Sequence, residues 1–83
     1  MWQEYPMMDM EVFVDMANFG EDISMVYRGM LYGVGPVEGG IMLSDREMTN
    51  VMVVTDAKEL LDNYVIAGKP LREVLPLMKR VWP

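Results

Sequence analysis

Neither cysteine nor histidine occurs in the 83 residues, and that double absence constrains the fold more than any motif. No disulfide, thiolate-bound zinc or imidazole-bound metal can staple the chain. A chain this short buries only about two thirds of the surface its unfolded form exposes, so one modest apolar core has to hold it. The material is present, since 52% of residues are apolar and mean hydropathy is +0.10. That is too hydrophobic for disorder, and greasy enough that some apolar surface is expected to be shared with a partner. No run approaches the roughly 18 apolar residues of a membrane-spanning helix, and acids stand where a secretory signal carries bases. The expected location is the cytoplasm, of a cell or of an infected host cell.

The same absence removes the commonest general base, the thiolate nucleophile and the commonest metal ligands. Carboxylates remain, but acid–base pairs of them work across a cleft that so small a domain hardly encloses. Asp45 with Glu47, or Asp56 with Glu59, would hold Mg²⁺ only weakly, and no Asp-x-Asp-x-Asp-Gly loop occurs. Met7-Met8-Asp9-Met10 offers thioethers, yet soft-metal sites usually recruit Cys or His as well. The expectation is a chain that is not an enzyme and holds no metal or cofactor. Gly33-Val34-Gly35-Pro36-Val37-Glu38 has glutamate where a dinucleotide loop needs its last glycine; residues 33–40 read instead as a surface loop.

Charge is unevenly placed within a formal total of -6. Residues 1–27 hold Glu4, Asp9, Glu11, Asp15, Glu21 and Asp22 with no base, whereas residues 64–83 hold Lys69, Arg72, Lys79 and Arg80 against Glu73. An acidic field discourages direct nucleic-acid binding, because phosphate neutralisation by Lys and Arg supplies most of that affinity. It favours a basic protein surface as partner.

Periodicity predicts an α+β fold, an antiparallel sheet of about four strands followed by two C-terminal helices packed on one face. Over 8–16, Met8, Met10, Val12, Val14 and Met16 alternate with Asp9, Glu11, Phe13 and Asp15, which reads as a half-buried strand. A helix between Pro6 and Gly20 competes, since Met8, Val12, Met16 and Phe19 also fall at helical spacing; the strand keeps the acids on one face. Further strands are expected over 23–34, with Gly29 and Gly33 marking a bulge, a bend or close approach of another backbone, and over 41–44 and 50–55. Asp56 with Glu59 forms a capping signal for a helix over 57–67 closed by Gly68, on the apolar spacing of Ala57, Leu60, Leu61, Tyr64 and Val65. A second helix over 70–82 should kink or split at Pro76. Nothing resembles a linker or a repeat, so one domain over 1–83 is expected.

Two short segments resemble known families. Arg28-Gly29-Met30-Leu31-Tyr32-Gly33 resembles the glycine-bent second strand of Sm-like small barrels, without their RNA-binding Asn and Arg-Gly motifs. Asn50-Val51-Met52-Val53-Val54-Thr55-Asp56-Ala57 is similar to a strand segment of the phage uracil-DNA glycosylase inhibitor, a DNA mimic. Each covers less than a tenth of the chain, and the rest follows neither family's element order, so no membership is assigned.

Together these features predict a non-catalytic acidic protein-binding module, an inhibitor of the kind phages and mobile elements encode. Carboxylates two apart on a strand repeat about every 7 Å, so Asp9, Glu11 and Asp15, with Glu21 and Asp22 at the hairpin tip, would imitate a phosphate backbone. Tyr27 and Tyr32 would add aromatic anchors. Methionine, at 11 of 83 residues, supplies adaptable apolar surface; Trp2 and Trp82 would pin the chain ends or mark a dimer contact. The alternative is a self-associating subunit, a homodimer through the apolar sheet face, or a small-ligand-binding protein.

Overall fold

A computed structural model of the chain describes residues 2–82. It is α+β, built on a six-stranded sheet in which every neighbouring pair is antiparallel. In chain order the elements are β1 (Gln3–Pro6), α1 (Met10–Asn18), β2 (Ile23–Tyr27), β3 (Met30–Val37), β4 (Gly40–Asp45), β5 (Val51–Val54) and α2 (Lys58–Asn63), then a small hairpin of β6 (Val65–Ile66) and β7 (Lys69–Pro70), α3 (Leu71–Val74), a 3₁₀ turn (Leu75–Leu77) and β8 (Lys79–Trp82). The large sheet runs β1-β8-β2-β3-β4-β5. The last strand therefore returns to fill the gap between the first two.

The expected strand over 8–16 is a helix. As a strand it would have set Phe13 among the acids; as a helix it buries Phe13 and Ala17, one turn apart, and leaves Glu11, Val12 and Asp15 outside. Core burial of one aromatic outweighs the period-2 pattern. The strand expected over 23–34 is two, because Arg28 and Gly29 both take positive φ (50° and 79°) and close a two-residue hairpin whose twist suits flanking strands. The loop expected over 33–40 is mostly strand β3, with only Glu38-Gly39 as the turn into β4. The strands expected over 41–44 and 50–55 are β4 and β5, with shifted ends.

The C-terminal third departs further from the two expected helices. Asp56 does open α2, its carboxylate accepting the Lys58 N–H at 3.0 Å. The helix nevertheless stops at Asn63, because Ala67 and Gly68 (φ 53° and 80°) turn the β6–β7 hairpin instead of closing a longer helix. Over 70–82 the break at Pro76 goes beyond a kink: α3 gives way to the 3₁₀ turn, and from Met78 the backbone is extended and joins the sheet. β1, with all four residues exposed and no periodicity, exists as a strand only because β8 pairs with it.

One face of the sheet carries the core. Ile23, Met25, Val34, Ile41 and Leu43 meet Phe13 and Ala17 of α1, Leu60 and Leu61 of α2, Leu71 and Val74 of α3, and Tyr64, Leu75 and Met78. A reciprocal clasp ties α1 to α2: Asn18 Nδ2 donates to Asp56 Oδ1 at 3.1 Å and its Oδ1 accepts the Ala57 N–H at 2.8 Å. Among the described residues, no helix is long and apolar enough to cross a membrane.

Candidate functional site

Register determines what the other face presents. Asp22, Gly35, Met42 and Val53 form one row across the strands. The next row is Val81, Ser24, Gly33, Ser44 and Val51, and a third is Lys79, Val26, Leu31 and Arg46. These rows bound an open cavity of about 820 Å³, lined also by Trp2, Val37 and Met48 and by no helical residue. Its floor is bare at Gly33, where a Cβ would meet nothing within 4 Å; over Gly35 lies the Asp22 carboxylate, 2.5 Å from where a Cβ would be. Its lining is mostly apolar; Met48 within it, and Val51 and Val53 beside it on β5, are about half exposed. The buried Ser44 hydroxyl donates to the Asp45 carbonyl at 2.7 Å and lies 3.1 Å from Met48 Sδ, which holds that methionine over the floor.

A second surface lies on the opposite side of the molecule. Glu11, Asp15 and Phe19 fall at i, i+4 and i+8, one stripe along α1 and its C-cap. Both acids are exposed, and Phe19 is 84% exposed, the highest among the exposed large hydrophobic residues described. The structure thus brings Glu11 and Asp15 together but moves Asp9 to the helix N-cap, and a strand-spaced ladder of carboxylates is not formed. Glu21 is exposed just beyond the helix, while Asp22 belongs to the cavity face. Of the two tyrosines, Tyr32 lines the cavity that Asp22 also lines, and Tyr27 does not. Both are half-buried against the core, with Arg28 stacked on the Tyr27 ring at 5.2 Å and Tyr32 edge-on to Tyr64 at 6.4 Å. Trp82 is exposed, and Trp2 lines the cavity.

Phe19, Arg46 and Met48 are not among the residues the sequence marks as candidates, whereas Gly33 is marked as a place for a bulge, a bend or close backbone approach. Its spacing from Gly35 carries a signal too: glycines two apart in a strand leave one face of it without side chains.

Asp45 organises the loop beside the cavity. Its carboxylate accepts the Thr49 and Asn50 N–H groups at 2.8 and 3.0 Å and the Thr49 hydroxyl. The hydroxyl first, then the backbone donors, hold its pKa below the usual value against an opposing effect of burial. Asp56 is lowered by the Lys58 N–H and Asn18, and Asp62 by Arg72, its partner at 3.0 Å. Depressed folded-state values stabilise above the unfolded pKa near 3.8 and are lost as pH falls through the lower folded values. Acid titration followed by circular dichroism should therefore show a destabilising limb below about pH 4, shallower in Asp45→Asn. An identical limb in that variant would remove Asp45 from this role.

Among the described residues no group of three or more acidic side chains converges as a metal site. Comparison with protein-family models, with curated proteins and with solved structures finds no match to this chain.

Proposed function

We propose that the chain is a non-catalytic protein-binding module, an inhibitor of the kind phages and mobile elements encode, whose α1 stripe docks on a basic, nucleic-acid-binding surface of a host protein. The observation that carries this is Phe19, a large aromatic left 84% exposed in line with Glu11 and Asp15. An exposed aromatic beside carboxylates combines the two parts of a steered interface. The acids raise the encounter rate with a positive surface, and the ring supplies a desolvated anchor. The carboxylates stand about 6 Å apart along the helix, so mimicry here is one of field and not of a regular phosphate ladder.

The test begins with a partner recovered from a host lysate and then purified. Glu11→Lys with Asp15→Lys is expected to slow association at least about tenfold and to flatten its salt dependence. Phe19→Ala should instead speed dissociation, weakening binding about tenfold or more. Unchanged rates in both variants would refute the proposal.

A further inference from the structure

We propose that the cavity-bearing sheet face is the contact surface of a symmetric homodimer, in which Asp22 of each protomer meets Arg46 of the other across a two-fold axis passing over Gly33. Gly33 has no reason inside the chain to be glycine. Its φ is not left-handed and a Cβ there would meet nothing within the chain, so the fold gives no reason for a residue that weakens a strand interior. Glycine in such a place marks close approach from outside.

Asp22 and Arg46 are placed symmetrically about Gly33 along the backbone. Asp22 stands beside β2 in the Gly35 row, and Arg46 follows β4 in the Leu31 row. By backbone register Gly33 lies on β3 in the row between, midway between the Asp22 and Arg46 backbone positions, with the Asp22 carboxylate reaching in over Gly35. A two-fold axis lying between two such faces, perpendicular to the Asp22–Arg46 line at its midpoint, brings each acid over the partner's Arg46. An isologous contact requires this self-complementarity.

Charge on this face is balanced. By register its exposed charges are Glu4 and Asp22 against Arg46 and Lys79, a net of zero in a chain whose total is -6, while Asp45, which also lines the cavity, is buried with its carboxylate held by the Thr49 and Asn50 N–H groups. Copies that repel one another elsewhere can meet here. Between the charges the surface is apolar, and Met42 and Met48 border the hollow with side chains able to adapt to a partner. Six strands about 4.8 Å apart, four to eight residues long, span roughly 24 Å across and about 13–26 Å along, so the face with its flanking side chains suits an interface at the small end of the standard range. The α1 stripe lies on the far side, so a dimer would present two of them.

Light scattering and sedimentation test this without any other protein, so failure here leaves the α1 proposal standing and the reverse also holds. Wild type should be dimeric at concentrations on the order of 100 µM, where a dimer of micromolar affinity is saturated. Asp22→Arg and Arg46→Asp each juxtapose like charges and should weaken assembly at least about tenfold. The double variant Asp22→Arg with Arg46→Asp should restore it, which loss of folding could not mimic. Gly33→Val should raise the denaturation midpoint of the monomer while weakening the dimer. A monomer at every concentration, single variants that assemble like wild type, a double variant without rescue, or Gly33→Val assembling normally would each overturn the proposal. So would a monomer whose face is saturated by an apolar dye, which would point to a small-molecule occupant.

Discussion

Phe13→Ala is expected to lower the stability of the chain by about 3–5 kcal/mol, the cost typical of truncating a fully buried phenylalanine. The side chain is 0% exposed and belongs to the central cluster. Of the nine residues in α1 only Phe13 and Ala17 are fully buried, and an isolated helix of that length is marginal in water. Phe13 is therefore the main anchor that makes α1 a helix at all. An 83-residue chain has a total margin of roughly 4–12 kcal/mol, so the variant should be partly unfolded or melt far below wild type. Helix signal should fall first, since the sheet keeps its own pairings. The functional consequence is specific: without the anchor, Glu11, Asp15 and Phe19 lose their common stripe, and partner association should slow even though every acid is retained. Denaturant titration read by both circular dichroism and tryptophan fluorescence checks this; a loss below about 1 kcal/mol would show that α1 is held by something other than Phe13.

Phe13 also shows why the sequence misled at this point. Met8 to Met16 satisfies the strand period and the helical one almost equally, and keeping the acids together favoured the strand. The deciding fact was which apolar residue had a place in the core, and that depends on α2 and on Tyr64, far away in the chain. Where local chemistry suffices the reading was sound. The antiparallel character, the strand content of 23–27, 41–44 and 51–54, the opening of α2 by Asp56 and the disruption at Pro76 all follow from nearby residues. It failed where pairing is non-local. Val81 and Met78 fit a helical face as well as a strand, and only the open edge of β2 selects the strand; β1 in turn depends on β8. Arg28 at positive φ disguised a hairpin turn, since nothing in an arginine announces that conformation.

The candidate surfaces divide in the same way. That the chain is acidic and apolar could be read directly, and Glu11, Asp15 and Asp22 were all singled out as acids. That Asp22 faces a different side from Glu11 follows only from register. Tyr27 and Tyr32 looked like anchors because aromatic residues in strands alternate faces, and which face lies under the helices is not written in the strand itself. Phe19 falls on the helical stripe of Met8, Val12 and Met16, and nothing in that spacing marks its exposure at the helix end.

Tyr64→Ala should cost about 3–5 kcal/mol as well, whereas Tyr64→Phe should cost only about 1–2 kcal/mol, and the difference separates packing from hydrogen bonding. The ring is fully buried between the sheet and α2 and meets Tyr32 edge-on, and its hydroxyl donates to the Asn50 carbonyl at 2.6 Å. The Asn50 amide in turn donates to the Val65 carbonyl at 2.8 Å. This clasp ties the chain just beyond α2 to the start of β5, the strand that carries Val51 and Val53 on the cavity face. Removing the hydroxyl leaves an acceptor without its donor while the ring still fills its space. Burial, with the nearby Asp45 charge adding to it, pushes the Tyr64 phenol well above its ordinary value of 10.0, and burial raises Tyr32 in the same direction. A raised folded-state pKa stabilises fully below the unfolded value, and that contribution is lost as pH rises from about 10 through the folded value. Wild type should accordingly lose stability steeply above about pH 10, where the unfolded tyrosines ionise and the folded ones resist. In Tyr64→Phe the alkaline limb should be visibly shallower, although the variant is less stable at neutral pH. Melting curves from neutral to strongly alkaline pH decide the point: parallel alkaline limbs in the two proteins would mean that Tyr64 does not govern this edge of the stability range.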